Sequence, residues 1–174
     1  MRVEPLRLEW IEALIDGDAA FTERFGIAVI EGWAGFPEAL PHALDAARRH
    51  NVDPWGSHLF FDDDGALTGF GGFKGPPIRG EVEIGYAIAP ARQGRGLATT
   101  ATRTLIGRAR DGGATRVIAH TLATPSASTA VLAHCGFTRT ATIVDPEDGV
   151  DDDVWRWELP LERPPQQPDR SDRS

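Results

Sequence analysis

A glycine-rich turn near the middle of the chain joins an apolar run to an amphipathic run. The apolar run covers Ile84 to Ala89, the turn spans residues 93–96, and the amphipathic run covers Leu97 to Ala109. This pattern predicts a strand, a tight turn and a helix that begins at the turn. Glycines let a backbone approach a ligand closely, and the free N–H groups at a helix N-terminus attract negative charge. The junction therefore predicts an anion cradle, with a phosphate-bearing ligand as the first expectation.

Two sequence blocks narrow the choice of ligand. The first fits the pattern Gln/Arg-x-x-Gly-x-Gly/Ala at Gln93, Gly96 and Ala98. The second follows about 30 residues later and reads Ser128-x-x-Val131-Leu132-x-x-x-Gly136-Phe137. Together the blocks resemble the GNAT superfamily of N-acetyltransferases, over roughly residues 57 to 159. Residues 83–86, Glu-Ile-Gly-Tyr, further resemble the RimJ/RimL-like branch, which acetylates the N-termini of ribosomal proteins.

The resemblance implies acetyl-coenzyme A (acetyl-CoA) as the cosubstrate. Backbone amides of the glycine turn would hold its pyrophosphate, and the strand edge near Ile88 would pair with the pantetheine amides like an added strand. Because the cosubstrate is a polyanion and the protein is acidic, Arg92, Arg95 and Arg103 are expected to supply local positive charge. The implied cofactor-binding residues are Ile88, Gln93, Gly94, Arg95, Gly96, Leu97, Ala98 and Thr99.

Length and composition indicate one compact domain. The chain has 174 residues, 41% of them hydrophobic, which is enough for a core but too few for two full domains. We expect an N-acetyltransferase domain over residues 1–159. From Pro160 onward proline and charge dominate, so residues 160–174 are predicted to form a disordered tail.

The same counts exclude several classes of partner. No run of 18 apolar residues is present, so no membrane span is expected. The net charge of −8 disfavours nucleic-acid binding. A single cysteine, Cys135, suits a reducing cytoplasm, where we expect the protein as a monomer or homodimer. No His, Cys or carboxylate group has metal-ligand spacing, so no metal is expected.

The periodicity of the chain predicts a mixed α/β fold. Helices are predicted over Leu8 to Ile15, Asp18 to Phe25, Phe36 to His50, Leu97 to Ala109 and, capped by Thr124 with Pro125 at its first position, up to Cys135. Strands are predicted over Ser57 to Asp62, Leu67 to Lys74, Val82 to Ala89, Arg116 to Leu122, Phe137 to Val144 and Val154 to Leu159. Together they indicate a GNAT-like, largely antiparallel sheet of about six to seven strands, flanked by helices and splayed at the central strand. A coenzyme could enter at the splay.

Acetyl transfer to an amine requires a base, because an alkylammonium with a pKa of roughly 10.4 is protonated at neutral pH. Glu83 is the candidate, since the resembled branch carries a glutamate at its position. Glu81 would point to the same face by the alternation of a strand. The alternative is that both carboxylates are solvated on an exposed strand or pair with Arg79 and Lys74.

The proton donor for the departing thiolate is less well marked. Many GNAT enzymes carry a tyrosine four residues before the Gly-Phe of the second block, and here that position is Leu132. Ser128 is the candidate, because its hydroxyl in a first helical turn could reach the thioester sulfur; alternatively it bonds its own backbone. Tyr86 is expected to be a core-facing ring with a satisfied hydroxyl. Cys135 is expected to be a small buried residue and not a nucleophile.

The acceptor is expected to be a small amine or a peptide N-terminus. Trp33 and Phe36 lie in glycine-rich connections, where large rings form either lids over a core or walls of a pocket, and they are the substrate-pocket candidates. Six carboxylates crowd the predicted terminal hairpin loop, at Asp145, Glu147, Asp148, Asp151, Asp152 and Asp153. If this loop borders the cleft, it would favour a cationic acceptor.

Two other functions remain open on the sequence alone. A catalytically silent acyl-CoA-binding module is compatible with the missing tyrosine at Leu132. A nucleotide-binding regulator is compatible with the glycine turn, although the turn lacks the complete dinucleotide pattern. The leading hypothesis is an N-acetyltransferase that works by direct attack in a ternary complex.

Overall fold

The computed structural model describes residues 1–50, 53–144 and 153–162, which form seven strands and five α-helices. The helices are α1 (Leu8–Asp16), α2 (Asp18–Phe25), α3 (Leu40–His50), α4 (Leu97–Asp111) and α5 (Ala127–His134). The strands are β1 (Arg2–Pro5), β2 (Ser57–Phe61), β3 (Leu67–Phe73), β4 (Glu81–Ile88), β5 (Arg116–Leu122), β6 (Thr138–Val144) and β7 (Asp153–Pro160).

The strands form one sheet with β4 at its centre. Their order is β1-β2-β3-β4-β5-β7-β6, and β4 and β5 run parallel while all other neighbours are antiparallel. This arrangement confirms the predicted mixed, largely antiparallel sheet of six to seven strands flanked by helices. A parallel neighbour requires a crossover, which α4 provides between β4 and β5.

Helices cover both faces of the sheet. Strand side chains point alternately to the two faces, so the strands contribute to a core on each side. Leu59 and Phe61 of β2 pack into a core with α1, α2 and α3, whereas Phe60 belongs to a second core with α4 and α5. In β4, Val82, Ile84 and Ile88 all point into the second core. The odd-numbered residues of β4 therefore lie on the opposite face, and two of them are glutamates.

Beyond shifts of one or two residues at several element ends, three features differ from the sequence prediction. Strand β1 was not predicted; its four residues include only one buried side chain, Val3, which is too little for a periodic signal. The predicted helix from Phe36 to His50 is a short 3₁₀ turn at Pro37–Ala39 followed by α3. Helix α5 begins at Ala127 and not beside Thr124.

The start of α5 is set by a reciprocal cap. Thr129 N–H donates to Ser126 Oγ at 3.3 Å, and Ser126 N–H donates to Thr129 Oγ1 at 2.9 Å. This capping box satisfies two backbone donors that the helix leaves free. The sequence reasoning chose Thr124 because Pro125 suits a first helical position, and it missed the serine and threonine pair that caps the helix.

The two ends of the terminal hairpin loop lie on either side of a gap in the described residues. The predicted acidic loop from Asp145 to Asp152 lies outside the described residues, and Asp153 begins β7 with an exposed side chain. Of the predicted tail, Pro160 ends β7 and Leu161 is buried, while residues 163–174 lie outside the described part. No helix among the described residues is long and apolar enough to cross a membrane.

Candidate active site

Strands β4 and β5 separate partway along their length. They pair from Glu81 with Arg116 to Glu83 with Ile118, and no further. Beyond that point β4 continues to Ile88 along β3, and β5 continues to Leu122 along β7. The result is a wedge-shaped opening in the middle of the sheet, at the central strand where the sequence predicted a splay.

The β4 side of this opening presents backbone groups without a strand partner. Lys74 N–H donates to the Glu83 carbonyl and Ala89 N–H donates to the Thr68 carbonyl, so the odd-numbered residues of β4 bond to β3. By alternation, Ile84, Tyr86 and Ile88 direct their N–H and C=O groups to the other edge. An extended chain with amide groups could add to this edge as a strand does.

The glycine turn leads from this edge to the N-terminus of α4. Gln93 Nε2 donates to the Ile88 carbonyl at 3.1 Å, which ties the turn to the end of β4. Gly94 and Gly96 have φ of 74° and 75°, a left-handed backbone that glycine adopts without strain. A Cβ at either glycine would meet no atom within 4 Å, so the turn faces open space.

The first turn of α4 has no side-chain cap. Gly96 is the N-cap residue, and the first residues of the helix are Leu97, Ala98 and Thr99. The N–H groups of an uncapped first turn need an external acceptor, and the helix dipole favours a negatively charged one. The turn and helix start therefore suit a phosphate-bearing ligand, and the resemblance implies that this ligand is the pyrophosphate of acetyl-CoA.

Of the arginines expected to attract the cosubstrate, Arg92 has another role. Its Nε lies 3.0 Å from Asp62 Oδ2, and Asp62 is the residue that forms the turn between β2 and β3. Burial alone would raise the pKa of Asp62, but hydrogen bonds from Arg92 and from Ala66 N–H outweigh it and lower the pKa. Arg95, in contrast, is exposed and makes no ion pair with a described residue.

On the α4 and α5 face of the opening, Tyr86 bridges β4 to α5. Its hydroxyl donates to the Ser128 carbonyl at 3.3 Å, and its ring packs against the core, as predicted. Burial raises the pKa of Tyr86, so the hydroxyl stays protonated. Ser128 itself is half-buried, and its Oγ makes no hydrogen bond with a described residue. Leu132, at the position of the usual tyrosine, is buried in the core.

Cys135 lies on the same side but is not activated. It follows the last residue of α5 and is half-buried, and its Sγ is 3.9 Å from the Thr99 carbonyl. Burial raises the pKa of its thiol, although Arg103 acts in the opposite direction. A protonated thiol is a poor nucleophile, which agrees with the expectation that Cys135 does not carry the chemistry, although the residue is half-buried and not buried as predicted.

On the opposite face, Glu83 lies at the point where β4 and β5 separate. Its Oε1 is 2.7 Å from Lys74 Nζ and 2.9 Å from His120 Nδ1. The Lys74 contact is the pairing that the sequence allowed as an alternative, whereas the His120 contact was not predicted. The Glu83 side chain keeps 20% of its surface exposed, so it is sheltered but reachable.

Glu81 belongs to a separate ion-pair network. Its Oε2 is 2.8 Å from Arg156 Nη2 and 3.5 Å from Arg116 Nη1. Arg156 in turn binds Glu158 through its Nε at 2.8 Å, and this hydrogen bond holds the pKa of Glu158 below its usual range. Glu81 therefore pairs with strand arginines, and not with the Arg79 and Lys74 that the sequence suggested.

Open space lies beside Glu83 on the same face. A Cβ at Gly85 would meet no atom within 4 Å, whereas a Cβ at Gly35 would lie 2.1 Å from the Ala87 side chain. The loop of residues 33–36 thus presses on β4 two residues beyond Gly85. Within this loop Phe36 is 59% exposed, while Trp33 is buried and donates its indole N–H to Asp18 Oδ1 at 3.0 Å.

His120 is the site residue that sequence reasoning missed. A histidine in a strand gives no local signal of a role, but the parallel register places Ile118 opposite Glu83 and His120 two residues further on the same face. The knowledge that β4 and β5 are parallel neighbours would have predicted that Glu83 and His120 lie close together.

No cluster of three or more potential metal ligands occurs in the described ranges.

Comparison with known families agrees with this geometry. Residues 2–138 match the model of the acetyltransferase (GNAT) domain. The chain belongs to the GNAT acetyltransferase family. Members of this family are acyltransferases that use acetyl-CoA, the cosubstrate that the cradle fits. No curated protein matches the chain by sequence.

Solved GNAT structures share the fold at low sequence identity. Ribosomal-protein-alanine N-acetyltransferase from Brucella melitensis is 21% identical, with a TM-score of 0.66 over 92% of this chain and all of that chain (100%). YncA from Salmonella typhimurium, solved with its cofactor acetyl-CoA, is 21% identical, with a TM-score of 0.66; the match covers 97% of this chain and 98% of YncA. A chimera of the spermidine N-acetyltransferase SpeG from Vibrio cholerae and hSSAT is 16% identical, with a TM-score of 0.67; the match covers 92% of this chain and 96% of the chimera.

Proposed function

We propose that this GNAT protein transfers the acetyl group of acetyl-CoA to a primary amine by direct attack in a ternary complex. The observation that carries the proposal is the opening between β4 and β5, which has an anion cradle at one end and Glu83 at the other. Acetyl-CoA supplies an activated acyl group on sulfur. The described residues bind it, admit the amine and handle the protons.

The cradle residues would hold the cosubstrate along the α4 face. Backbone N–H groups of residues 94–99 take the pyrophosphate, and the unpaired edge of β4 near Ile88 takes the pantetheine amides. These groups would place the thioester near the point where β4 and β5 separate. The Tyr86 and Ser128 contact borders that point from the α5 side.

The proton of the acceptor ammonium would leave toward Glu83, directly or through one intervening group. Glu83 is only partly exposed and lies beside the open space at Gly85, so an amine in that space would be within its reach. Ser128 is proposed as the hydrogen-bond donor to the departing sulfur, because the residue is half-buried and its hydroxyl makes no bond with another described residue. The Ser128 hydroxyl could donate the hydrogen bond to sulfur that a leucine at position 132 cannot donate.

The acceptor would enter between Glu83 and the loop of residues 33–36. Phe36 is exposed on that loop and could line the entry, whereas Trp33 supports the loop from the core. We propose a small amine or a peptide N-terminus, in keeping with the RimJ/RimL-like resemblance of residues 83–86. A ribosomal-protein N-terminus and spermidine are the first candidates, because structural neighbours bear those names.

The direct test is a panel of primary amines, assayed with acetyl-CoA for free thiol and for acetylated product by mass spectrometry. The panel should include peptides with free N-termini, polyamines, aminoglycosides and acidic amino acids. The proposal predicts stoichiometric thiol and acetyl-amine for at least one cationic acceptor. Thiol release without an acetylated amine, for every acceptor, would contradict it.

A pair of glycine variants tests where the acceptor binds. Gly85→Leu fills the open space beside Glu83, and Gly107→Leu adds the same side chain on α4 where a Cβ also meets nothing. We expect Gly85→Leu to lower kcat/KM on the order of 10²-fold, since a small displacement of a reacting group has that effect. Acetyl-CoA affinity should remain, and Gly107→Leu should match the wild type.

The alternative is a catalytically silent acyl-CoA-binding module, favoured by Leu132 at the position of the usual tyrosine. This alternative predicts acetyl-CoA binding with no acetylated product from any amine in the panel. It also predicts that Glu83→Gln changes nothing measurable. The same two assays therefore decide between the two functions.

A further inference from the structure

His120 and Glu83 form a hydrogen-bonded pair at the edge of the opening. His120 Nδ1 lies 2.9 Å from Glu83 Oε1, and the two side chains keep 16% and 20% of their surface exposed. The other ring nitrogen, His120 Nε2, is buried and has no hydrogen-bond partner among the described residues. A buried polar atom without a partner is unfavourable, so such an atom calls for a functional explanation.

The pairing fixes the tautomer of the neutral imidazole. An ionised carboxylate can only accept hydrogen bonds, so Nδ1 carries the proton that it donates to Glu83. Nε2 is then left with a free lone pair. A histidine held in this way by a carboxylate has the arrangement of a general base, with the carboxylate orienting the ring and stabilising its protonated form.

The position of His120 matches this role. The last paired residue of β5 is Ile118, so His120 lies two residues into the separated part of the strand, on the face of Glu83. Charged groups surround the pair on this face. Lys74 binds Glu83, and the register of β7 places Arg156 beside His120, itself neutralised by Glu81 and Glu158.

We propose that His120 Nε2 is the atom that accepts the proton of the acceptor ammonium, and that Glu83 is the residue that positions and stabilises His120. This inference rests on the proposed acetyltransferase function and adds a second residue to its base. Glu83 then acts on the amine through the imidazole. The substrate is then the partner of the unpaired Nε2, and because Nε2 is buried in this structure, the ring or its neighbours must move slightly to admit the amine.

The step balances in protons and bonds. One ammonium proton moves to Nε2, which gives an imidazolium beside the Glu83 carboxylate and a neutral amine. The amine lone pair forms the new N–C bond, and the C–S bond breaks with its electron pair on sulfur. The second nitrogen proton goes to the departing sulfur, and the imidazolium releases its proton to solvent after the amide leaves.

The decisive variant is His120→Asn, because the amide nitrogen of asparagine is as many bonds from Cα as Nδ1. It can still donate to Glu83, but it has no atom at Nε2. We expect kcat/KM to fall about 10² to 10⁴-fold with acetyl-CoA affinity and melting temperature retained. His134→Asn, an exposed histidine at the end of α5, is the matched control and should match the wild type.

Two further readouts separate a base from a structural residue. In wild type, kcat/KM should reach a plateau as the pair loses its proton with rising pH, whereas His120→Asn should rise without that plateau. Added imidazole should restore part of the activity of His120→Ala but not of Glu83→Gln. The double variant of both residues should be no slower than the worse single variant, because the two act as a unit.

The results for wild type and for His120→Asn test the proposed function and the role of His120 separately. If wild type acetylates an amine and His120→Asn does so equally well, His120 is structural and the inference is overturned, while the proposed function stands. If wild type acetylates no amine, the proposed function itself fails. A slow His120→Asn with an unchanged pH plateau also overturns the inference, since the plateau must then belong to another group.

Discussion

The two ends of the β4–β5 opening differ in the groups that form them, backbone amides at one end and charged side chains at the other. The cradle at residues 93–99 consists of backbone groups that point into open space, and it depends on two left-handed glycines and a bare helix start. The Glu83 end consists of the side chains of Lys74, Glu83 and His120, and His120 is 37 residues from Glu83 in sequence. One end offers shape and partial charge, and the other offers titratable side chains.

This difference gives the two ends different sensitivities. The cradle should respond to backbone conformation and ignore pH, while the Glu83 end should respond to single side-chain atoms and to protons. Binding and turnover should therefore be separable by mutation. The following variants test that separation.

Glu83→Gln is expected to have the largest effect. Turnover should fall on the order of 10² to 10⁴-fold at neutral pH, because the amide cannot stabilise a proton taken from the amine. Higher pH should partly rescue the variant, since the free amine with a pKa of roughly 10.4 then forms in bulk water. Acetyl-CoA affinity, measured by calorimetry, should remain.

The matched control is Glu81→Gln, two residues earlier on the same face and bound to Arg156. It should keep most of its turnover, because Glu81 contacts neither Glu83 nor His120 and Glu158 still neutralises the Arg156 beside His120. Equal losses in the two variants would mean that general charge on this face matters, and not a specific proton path.

The two ends of the opening can be compared only at pH values where the protein stays folded, and we expect His58 to set the lower limit of that range. Burial, together with nearby Arg108, lowers the pKa of this fully buried histidine to about 4. In the unfolded chain its pKa is about 6.5, so the unfolded state binds the proton first as the pH falls. A difference of about 2.5 pKa units corresponds to about 3 kcal/mol of stability, lost between pH 6.5 and 4.

The measurement is urea denaturation of wild type and His58→Gln at several pH values. The variant should lose less stability than wild type over that interval, although its stability at pH 7 could be lower. His42→Gln, an exposed histidine on α3, should keep the wild-type dependence. Parallel curves for wild type and His58→Gln would show that His58 is not responsible.

Gly96→Val tests the cradle from the backbone side. Valine cannot adopt the φ of 75° without strain, and its side chain would occupy the space that the turn faces. A ligand at a hundredfold excess over its dissociation constant stabilises the native state by about 2.7 kcal/mol, and this acetyl-CoA-dependent stabilisation should disappear. NAD and ATP should stabilise wild type only weakly.

Gly113→Val is the matched control at the other end of α4. Gly113 has a φ of 84° and equally open surroundings, so both substitutions introduce the same backbone strain. The variant should lose intrinsic stability but keep the acetyl-CoA shift. Loss of the shift in both variants would point to a damaged fold and not to the cradle.

Ser128→Ala is expected to have the smallest effect. The loss in turnover should be less than tenfold, because a water could replace the hydroxyl beside the sulfur, and Tyr86 would still bind the backbone carbonyl. Ser126→Ala removes the cap of the same helix and should reduce stability by about 1 kcal/mol with turnover unchanged. The reverse pattern would assign the catalytic hydroxyl to Ser126.

The sequence predicted the secondary structure of the cradle better than the contacts of Glu83, for a physical reason. A strand, a glycine turn and a helix start are neighbours in sequence, so local pattern is enough to predict their order. The ion pair of Arg92 with Asp62 joins segments about 30 residues apart, and the sequence assigned Arg92 to the cosubstrate instead. Contacts of that kind depend on register and loop geometry that periodicity does not contain.

The same limit explains the partner of Glu83. Both Glu83 and His120 could be placed on strands from the sequence, but not on neighbouring parallel strands two residues out of register. The N-cap of α5 could not be predicted from local sequence either. Thr124 and Ser126 are both acceptable caps, and only the reciprocal bond of Ser126 with Thr129 decides between them.

The central claim is that backbone groups along residues 84–99 hold acetyl-CoA in the opening between β4 and β5. Hydrogen exchange of the wild-type protein with and without acetyl-CoA measures those groups directly. The account predicts slower exchange in peptides that cover Ile84 to Ile88 and Gly94 to Thr99, with little change around Gly113 at the far end of α4. Protection confined to other segments, with exchange at residues 94–99 unchanged, would contradict it.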